Sequence, residues 1–287
     1  MRKSEALLLL LPSFLFLGLF TASLALMGLV SVYPYVPPPK FWGTTFTLEN
    51  YLSILEDRFA LFTVGNTLLI GLESTLVSVL FAYPIAQMMV RPGRRWLGKL
   101  LSSFVILLLF LNSAVRAVTW MTVLGSSGLI NNVLIWLGVL QHPSSLLFTN
   151  LAVVLGIVSY DMPFAILMLA SSLRYVGVDL EDAARTLGAN EFQIFRYVTL
   201  PLGELAIIAT GTLMFIISLT TFTTPAVLGG GVIPYVTLSI YDTATSVLNL
   251  PSASAFSVLF TIMTLSIIFI FGRITGRLLS TGVKRGI

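Results

Sequence analysis

Three sets of residues in this chain of 287 could do chemistry by type and spacing. The first is Gly125-Ser-Ser127-Gly128, with the single His, His142, in a Gln-His-Pro-Ser-Ser turn. A serine nucleophile there would need that histidine as base within hydrogen-bond reach. The second is Gly93-Arg-Arg-Trp-Leu-Gly98-Lys99, which has the glycine–lysine spacing of a phosphate-binding loop. Leu100 stands where the Mg-binding hydroxyl belongs, and no strand precedes the loop. The third is Glu73, Arg116 and Asp161, ionisable groups inside long apolar stretches, where charge is costly and marks function with a partner. There is no Cys, which excludes disulfides, thiolate metal sites and cysteine nucleophiles.

The elements that must position these groups follow from composition. The chain is 56% hydrophobic and 10% charged, with a mean hydropathy of +0.97. A soluble domain carries about 25% charged residues, so much of this surface must face lipid. Soluble enzymes and disordered chains are excluded together. Six stretches reach the roughly 20 apolar residues that a spanning helix needs: Ala6–Val32, Leu61–Val90, Leu100–Leu124, Leu147–Leu173, Gly203–Leu228 and Ser254–Arg273. The first is too long, and lacks the cleavage site, for a signal peptide. The expected fold is therefore an all-α integral membrane protein with six transmembrane helices.

Basic residues orient the spans. Arg2 and Lys3, then Arg91, Arg94, Arg95 and Lys99, then Arg174, Arg185 and Arg196, and finally Arg273, Arg277, Lys284 and Arg285 fall on one side. Only Lys40 and Arg58 fall on the other, so both termini are expected to be cytoplasmic. The net charge of +4 then reflects topology, and no nucleic-acid partner is implied. An outer helix is expected over 130–140, and Gly229, Gly230 and Gly231 begin the third outer loop.

Position disposes of two motifs. The Gly93–Lys99 run becomes a basic cytoplasmic loop, so the chain binds no ATP itself. Gly125–Gly128 matches the GxSG of rhomboid-like intramembrane proteases, but those place their histidine inside a later span. A flexible turn is the favoured reading. A protease using Ser127 and His142 remains the enzyme alternative, and an ion-coupled secondary transporter using Glu73 or Asp161 is a third.

The informative segment is cytoplasmic, over 178–202. Asp179 can cap a short helix with Glu181 and Asp182 in its first turn, where carboxylates favour the positive dipole end. Ala183, Ala184 and Leu187 give it an apolar face, and Gly188 ends it. A second helical stretch over 191–198 should stop at Leu200-Pro201, because proline disfavours helix in the residue before it. A rigid helix–turn–helix results. Here the chain resembles the type I ABC importer permeases, whose motif is EAA-x3-G-x9-I-x-LP. Asp182-Ala183-Ala184, Gly188, Val198 and Leu200-Pro201 reproduce every spacing, with Asp for Glu and Val for Ile. The resemblance implies residues 1–60 as a first helix and outer loop, 61–272 as a five-helix core with coupling loop 174–202, and 273–287 as a cytoplasmic tail. It also implies that Glu181 or Asp182 meets a basic group on a cytoplasmic ATPase, while Ala183, Ala184 and Leu187 pack there. Leu200 and Pro201 complete the motif.

Counted from the outer ends at about 1.5 Å per residue, Glu73 and Asp161 lie roughly 18–21 Å deep and Arg116 roughly 12 Å. Arg116 either neutralises one carboxylate or joins a polar stripe with Asn112 and Thr119. The fifth stretch ends in Ser218-Leu-Thr-Thr-Phe-Thr-Thr-Pro225 and three glycines, an irregular polar backbone of the kind that lines cavities. Phe222–Gly230 and Asp161-Met-Pro-Phe164 resemble the spermidine/putrescine-type branch, which also serves phosphonates and opines. A cationic amine would suit the carboxylates, with Tyr160, Phe164 and Phe222 as aromatic walls. Thr221 and Thr224 would add hydroxyls. The resemblance implies a second permease, two ATP-binding subunits and an external solute-binding protein, in a bacterial inner membrane. This chain would hold no cofactor, ATP and Mg being bound by the partner ATPase.

Overall fold

The computed structural model describes residues 3–90, 95–139, 141–174 and 178–283, with side chains over 11–90, 96–139, 141–174 and 180–273. Arg2, Arg91, Gly93, Arg94, Lys284 and Arg285, and the side chains of Lys3, Arg95, Asp179 and Arg277, lie outside what is described. Among the described residues, six stretches are long and apolar enough to cross a membrane: Leu11–Val30, Arg58–Val90, Ser113–Trp136, Asn150–Leu173, Glu191–Thr220 and Leu250–Arg273. Trp96–Leu109 is a shorter apolar helix.

The chain forms two compact units. One joins Met1–Thr63 to Ser239–Ser266. It opens with α1 (Lys3–Val30), a two-stranded hairpin of β1 (Tyr35–Val36) and β2 (Phe41–Trp42), and α2 (Glu49–Glu56). Phe14, Phe16, Leu19 and Phe20 of α1 are exposed, as suits a helix in lipid. The last carbonyls of any helix lack intrahelical partners. Here the Asn50 amide donates to Ser31 O at 2.9 Å and Tyr33 O at 2.8 Å, which fastens α2 beneath the end of α1.

The other unit joins Val64–Leu238 to Ile267–Ile287. It holds most of α3 (Arg58–Val90), then α4 (Arg95–Leu109), α5 (Ser113–Leu124), α6 (Leu129–Trp136) and α7 (Asn150–Leu173). The chain continues through α8 (Val178–Thr186), α9 (Glu191–Ile194), a π turn (Phe195–Thr199), α10 (Leu200–Thr220) and α11 (Thr223–Leu228). α12 (Val236–Thr245) and α13 (Leu250–Val283) are shared between the units. Lipid is as apolar as leucine, so close packing rather than water exclusion holds spans together, and small residues permit it. Accordingly Ala82 and Ala86 of α3 meet Ala165 and Leu169 of α7 and Met214 of α10. Nearer the α5–α6 turn, Ile70, Leu124, Val153, Ile157, Leu228 and Tyr235 form a second cluster.

Two expected spans are corrected. The third is not one helix over Leu100–Leu124, because it breaks at Phe110–Asn112. The Asn112 side chain accepts from Ala114 N at 2.8 Å and so caps α5, drawing the backbone out of the helix before it. Asn112 therefore stands before the helix that carries Arg116 and Thr119. The fifth breaks at Thr221–Phe222, between α10 and α11.

Candidate functional site

The segment after α7 is built to hold a short helix outward. α8 closes through Leu187 N to Ala183 O at 3.2 Å, Gly188 N to Arg185 O at 3.0 Å and Ala189 N to Ala184 O at 3.1 Å. Gly188 makes the turn with φ of +86°, in the left-handed region that glycine favours. Asn190 and Gln193 then form a reciprocal capping box that starts α9. The expected stop at Leu200-Pro201 does not occur. Leu200 N–H bonds Phe195 O, five residues back, so the helix widens into a π turn. The π turn runs straight into α10, so Pro201 lies within one continuous helix over Glu191–Thr220, and the widened turn before it makes room for its ring.

Charges brace the loop from within. Arg185 reaches Asp182 Oδ1 at 2.6 Å, Glu191 Oε1 at 3.0 Å and Glu181 Oε2 at 3.5 Å. Its bonds to Glu191 and then Asp182 push the guanidinium pKa above its ordinary value. Glu181 is buried, and its Oε1 accepts from Thr199 Oγ1 at 2.9 Å, tying α8 to the π turn. Asp182 and Ala183 face outward, Ala184 is half-buried, and Leu187 is 89% exposed. Leu200 is half-buried and Pro201 exposed. An apolar face held out beyond the spans by this bracing is suited to docking.

Inside the membrane, side chains repair the backbone where helices break. The Arg116 guanidinium donates to Leu108 O, near the frayed end of α4, and to Ser159 O in α7. Ser159 O is the carbonyl that residue 163 would normally bond, and Pro163 has no N–H. In the fifth stretch Thr237 Oγ1 donates to Thr221 O at 2.8 Å, a carbonyl that the extended backbone at the break leaves outside both helices. Tyr235 OH donates to Ser218 O beside the same break. Gly156 lets α11 press on α7, since a Cβ there would lie 2.4 Å from Leu228 Cδ1 and 2.5 Å from Thr224 Cγ2.

The ionisable groups are not brought together. Among the described residues no ion pair joins Arg116 to Asp161 or Glu73. Arg116 instead lies 5.6 Å from the Tyr160 ring centroid, and Tyr160 lies 5.7 Å from Phe164. Asp161 is fully buried; its Oδ2 accepts from Ser218 Oγ at 2.8 Å, and among the described residues Oδ1 has no hydrogen-bond partner. Thr224 is buried as well, whereas Glu73, Phe164 and Phe222 are exposed. Tyr160, Thr221 and Arg116 lie between these extremes.

Residues 74–285 match the family model described as "Binding-protein-dependent transport system inner membrane component". The chain belongs to that family. It is 34% identical over 236 residues to the spermidine/putrescine transport system permease protein PotB of Haemophilus influenzae, covering 82% of this chain and 81% of that protein. PotB of Escherichia coli is 30% identical over 191 residues, covering 67% and 69%. In fold, a bacterial alginate ABC transporter matches with a TM-score of 0.74 at 17% identity, covering 96% of both chains. The MetNI methionine transporter matches with a TM-score of 0.55 at 21% identity, covering 76% of this chain and 97% of that one. This permease is thus a multi-pass subunit of an ABC importer in a bacterial inner membrane, and ATP hydrolysis is the work of its partners.

Family membership leaves the serine motif as structure. Gly128 N bonds Gly125 O at 2.8 Å to turn α5 into α6, and among the described residues no bond joins Ser127 to His142. Several residues that matter to this permease escape sequence reasoning. Thr199, Ser218, Tyr235 and Thr237 are common polar residues whose partners lie 16 or more positions away. Pro163 does give a usable signal, because the Ser159 carbonyl four residues before it needs a new donor.

Proposed function

We propose that this permease imports a small polycationic amine of the spermidine and putrescine class, as the membrane-spanning half of a binding-protein-dependent importer. The observation that carries the reading is the 34% identity with PotB, sustained over 82% of the chain. The exposed Phe164 and Phe222 and the half-exposed Tyr160 support it, because aromatic faces attract ammonium groups. Asp161 supplies a carboxylate at membrane depth, and Thr221 and Thr224 flank the break where the backbone opens. Arg116 shapes the route by holding α4, α5 and α7.

A second, related permease completes the pathway, two ATP-binding subunits drive it, and an external solute-binding protein delivers the amine. ATP and Mg stay with the ATPases. The outward face of α8, with Asp182, Ala183 and Leu187, docks in an ATPase cleft, while Ala184 backs it. Gly188 sets the angle between the helices, and Leu200 and Pro201 begin the shaft that the docked helix pushes. ATP-driven closure moves α8, and Glu181 passes that motion through Thr199 to α10. The free energy of nucleotide binding is thereby linked to the inward–outward equilibrium.

The test is uptake by the importer reconstituted in liposomes with its binding protein. Labelled spermidine should accumulate only with ATP inside, and unlabelled putrescine should compete. ATP-driven uptake of another solute, with none of either amine, would sink the substrate reading and leave the permease reading standing.

A further inference from the structure

Glu73 is an exposed carboxylate on α3. It lies midway along α3, about 22 Å from the nearer end at ~1.5 Å per residue. No glutamate side chain spans that distance, so snorkelling to an interface is closed to it. The inner face of α3 is small and polar, with Ser74 and Ser78 buried. Its outer face carries Leu69, Leu76 and Leu80 around Glu73, all exposed. Among the described residues no hydrogen bond or ion pair reaches Glu73; Arg116 gives its two terminal nitrogens to backbone carbonyls, and its buried Nε has no partner there. A neighbouring cavity of about 240 Å³, reached by Leu72 and Leu76, is apolar and offers it no water.

Acyl chains have no donors, so bare exposure of this carboxylate to lipid is not a stable arrangement. A water-filled channel would not be edged by leucines above and below the charge. We infer that this face of α3 is covered in the assembled importer by the second permease, which sets a hydrogen-bond donor against Glu73 at mid-membrane. The leucines form the apolar seam of that contact, and the carboxylate fixes its register, as a single buried polar group does between helices. The inference rests on the importer reading above, because it takes the second permease from there.

The experiment uses the whole importer, purified through a tag on an ATP-binding subunit. A photoreactive p-benzoylphenylalanine is installed in place of Glu73 and, in a second preparation, in place of Leu80. Illumination should give a covalent adduct with the second permease from both positions. Adducts with lipid alone, or ready modification of Glu73→Cys by a water-borne cationic thiol reagent, would overturn the inference; the native chain has no Cys to interfere. Glu73→Gln keeps an acceptor and should retain the second permease within about twofold, whereas Glu73→Leu should reduce its recovery about tenfold. Equal recovery in the two variants would also overturn it. If no second permease accompanies the unaltered chain, the importer reading itself fails, and that outcome is visible before any cross-linking.

Discussion

Helix α10 is held at both ends by a carboxylate bonded to a hydroxyl, and the two attachments differ in what stands behind them. At the cytoplasmic end Glu181 accepts from Thr199 and also lies 3.5 Å from Arg185, so its second oxygen has a cation beside it. At the membrane end, among the described residues, Asp161 accepts from Ser218 alone and its other oxygen is unpartnered. Between them the helix of 21 residues is a rod about 30 Å long. One end is redundantly braced and can take the force of a docked partner. The other depends on a single bond, backed by Tyr235 on the Ser218 carbonyl. Motion delivered to the first end therefore meets its weakest resistance at the second, beside the break at Thr221–Phe222.

The comparison assumes that no cation serves the membrane end, and Arg116 provides the severest test. Arg116→Leu should remove a charged donor from Ser159 O and from Leu108 O, which keeps the 3.3 Å bond from Leu111 N, and lower stability by about 2–5 kcal/mol. Thermal unfolding in detergent would measure it. Combined with Asp161→Asn, the losses should add to within about 0.5 kcal/mol, as for groups that do not interact. Rescue of one change by the other would restore an ion pair and remove the asymmetry. Next in size, Ser218→Ala should cost about 1–3 kcal/mol, because it leaves both Asp161 oxygens unsatisfied. Thr199→Ala should cost less, about 0.5–1.5 kcal/mol, because Arg185 remains with Glu181. Equal losses would mean that Arg185 contributes nothing to the cytoplasmic end. On a similar scale, Glu181→Ala should leave ATP hydrolysis running while uptake falls about tenfold, the scale of a typical coupling energy. Glu181→Gln keeps an acceptor for Thr199 and should transport normally.

How much of this was legible depended on whether the signal was local. Apolar length marked the membrane stretches, and the coupling segment showed itself through Gly188 and the acidic first turn of α8, features that act within a few residues. The break at Phe110–Asn112 follows a long apolar run, so a hydropathy window reads across it, whereas the polar run Ser218–Pro225 already marks irregular backbone at Thr221–Phe222. The π turn was hidden because Pro201 looked like a stop, whereas one extra residue in the preceding turn accommodates it. Glu73 and Asp161 looked alike from sequence, both mid-span carboxylates. Only packing separates them, and the decisive partner of Asp161 is a serine 57 positions away.

The smallest effect concerns the turn that aims α8. Gly188 has φ of +86°, yet nothing lies within 4 Å of where its Cβ would be. The penalty for another residue is therefore conformational and not steric. Asparagine tolerates the left-handed region best after glycine, so Gly188→Asn should change stability by only about 0.5 kcal/mol and retain uptake. Gly188→Val, branched at Cβ, should fail to make the turn and lose the ATPase while still inserting in the membrane. Co-purification of the ATP-binding subunits separates the cases. If Gly188→Asn folds normally but loses those subunits, the empty space over Gly188 is itself part of the docking surface, and the cytoplasmic end of the rod is shaped by its partner as much as by Arg185.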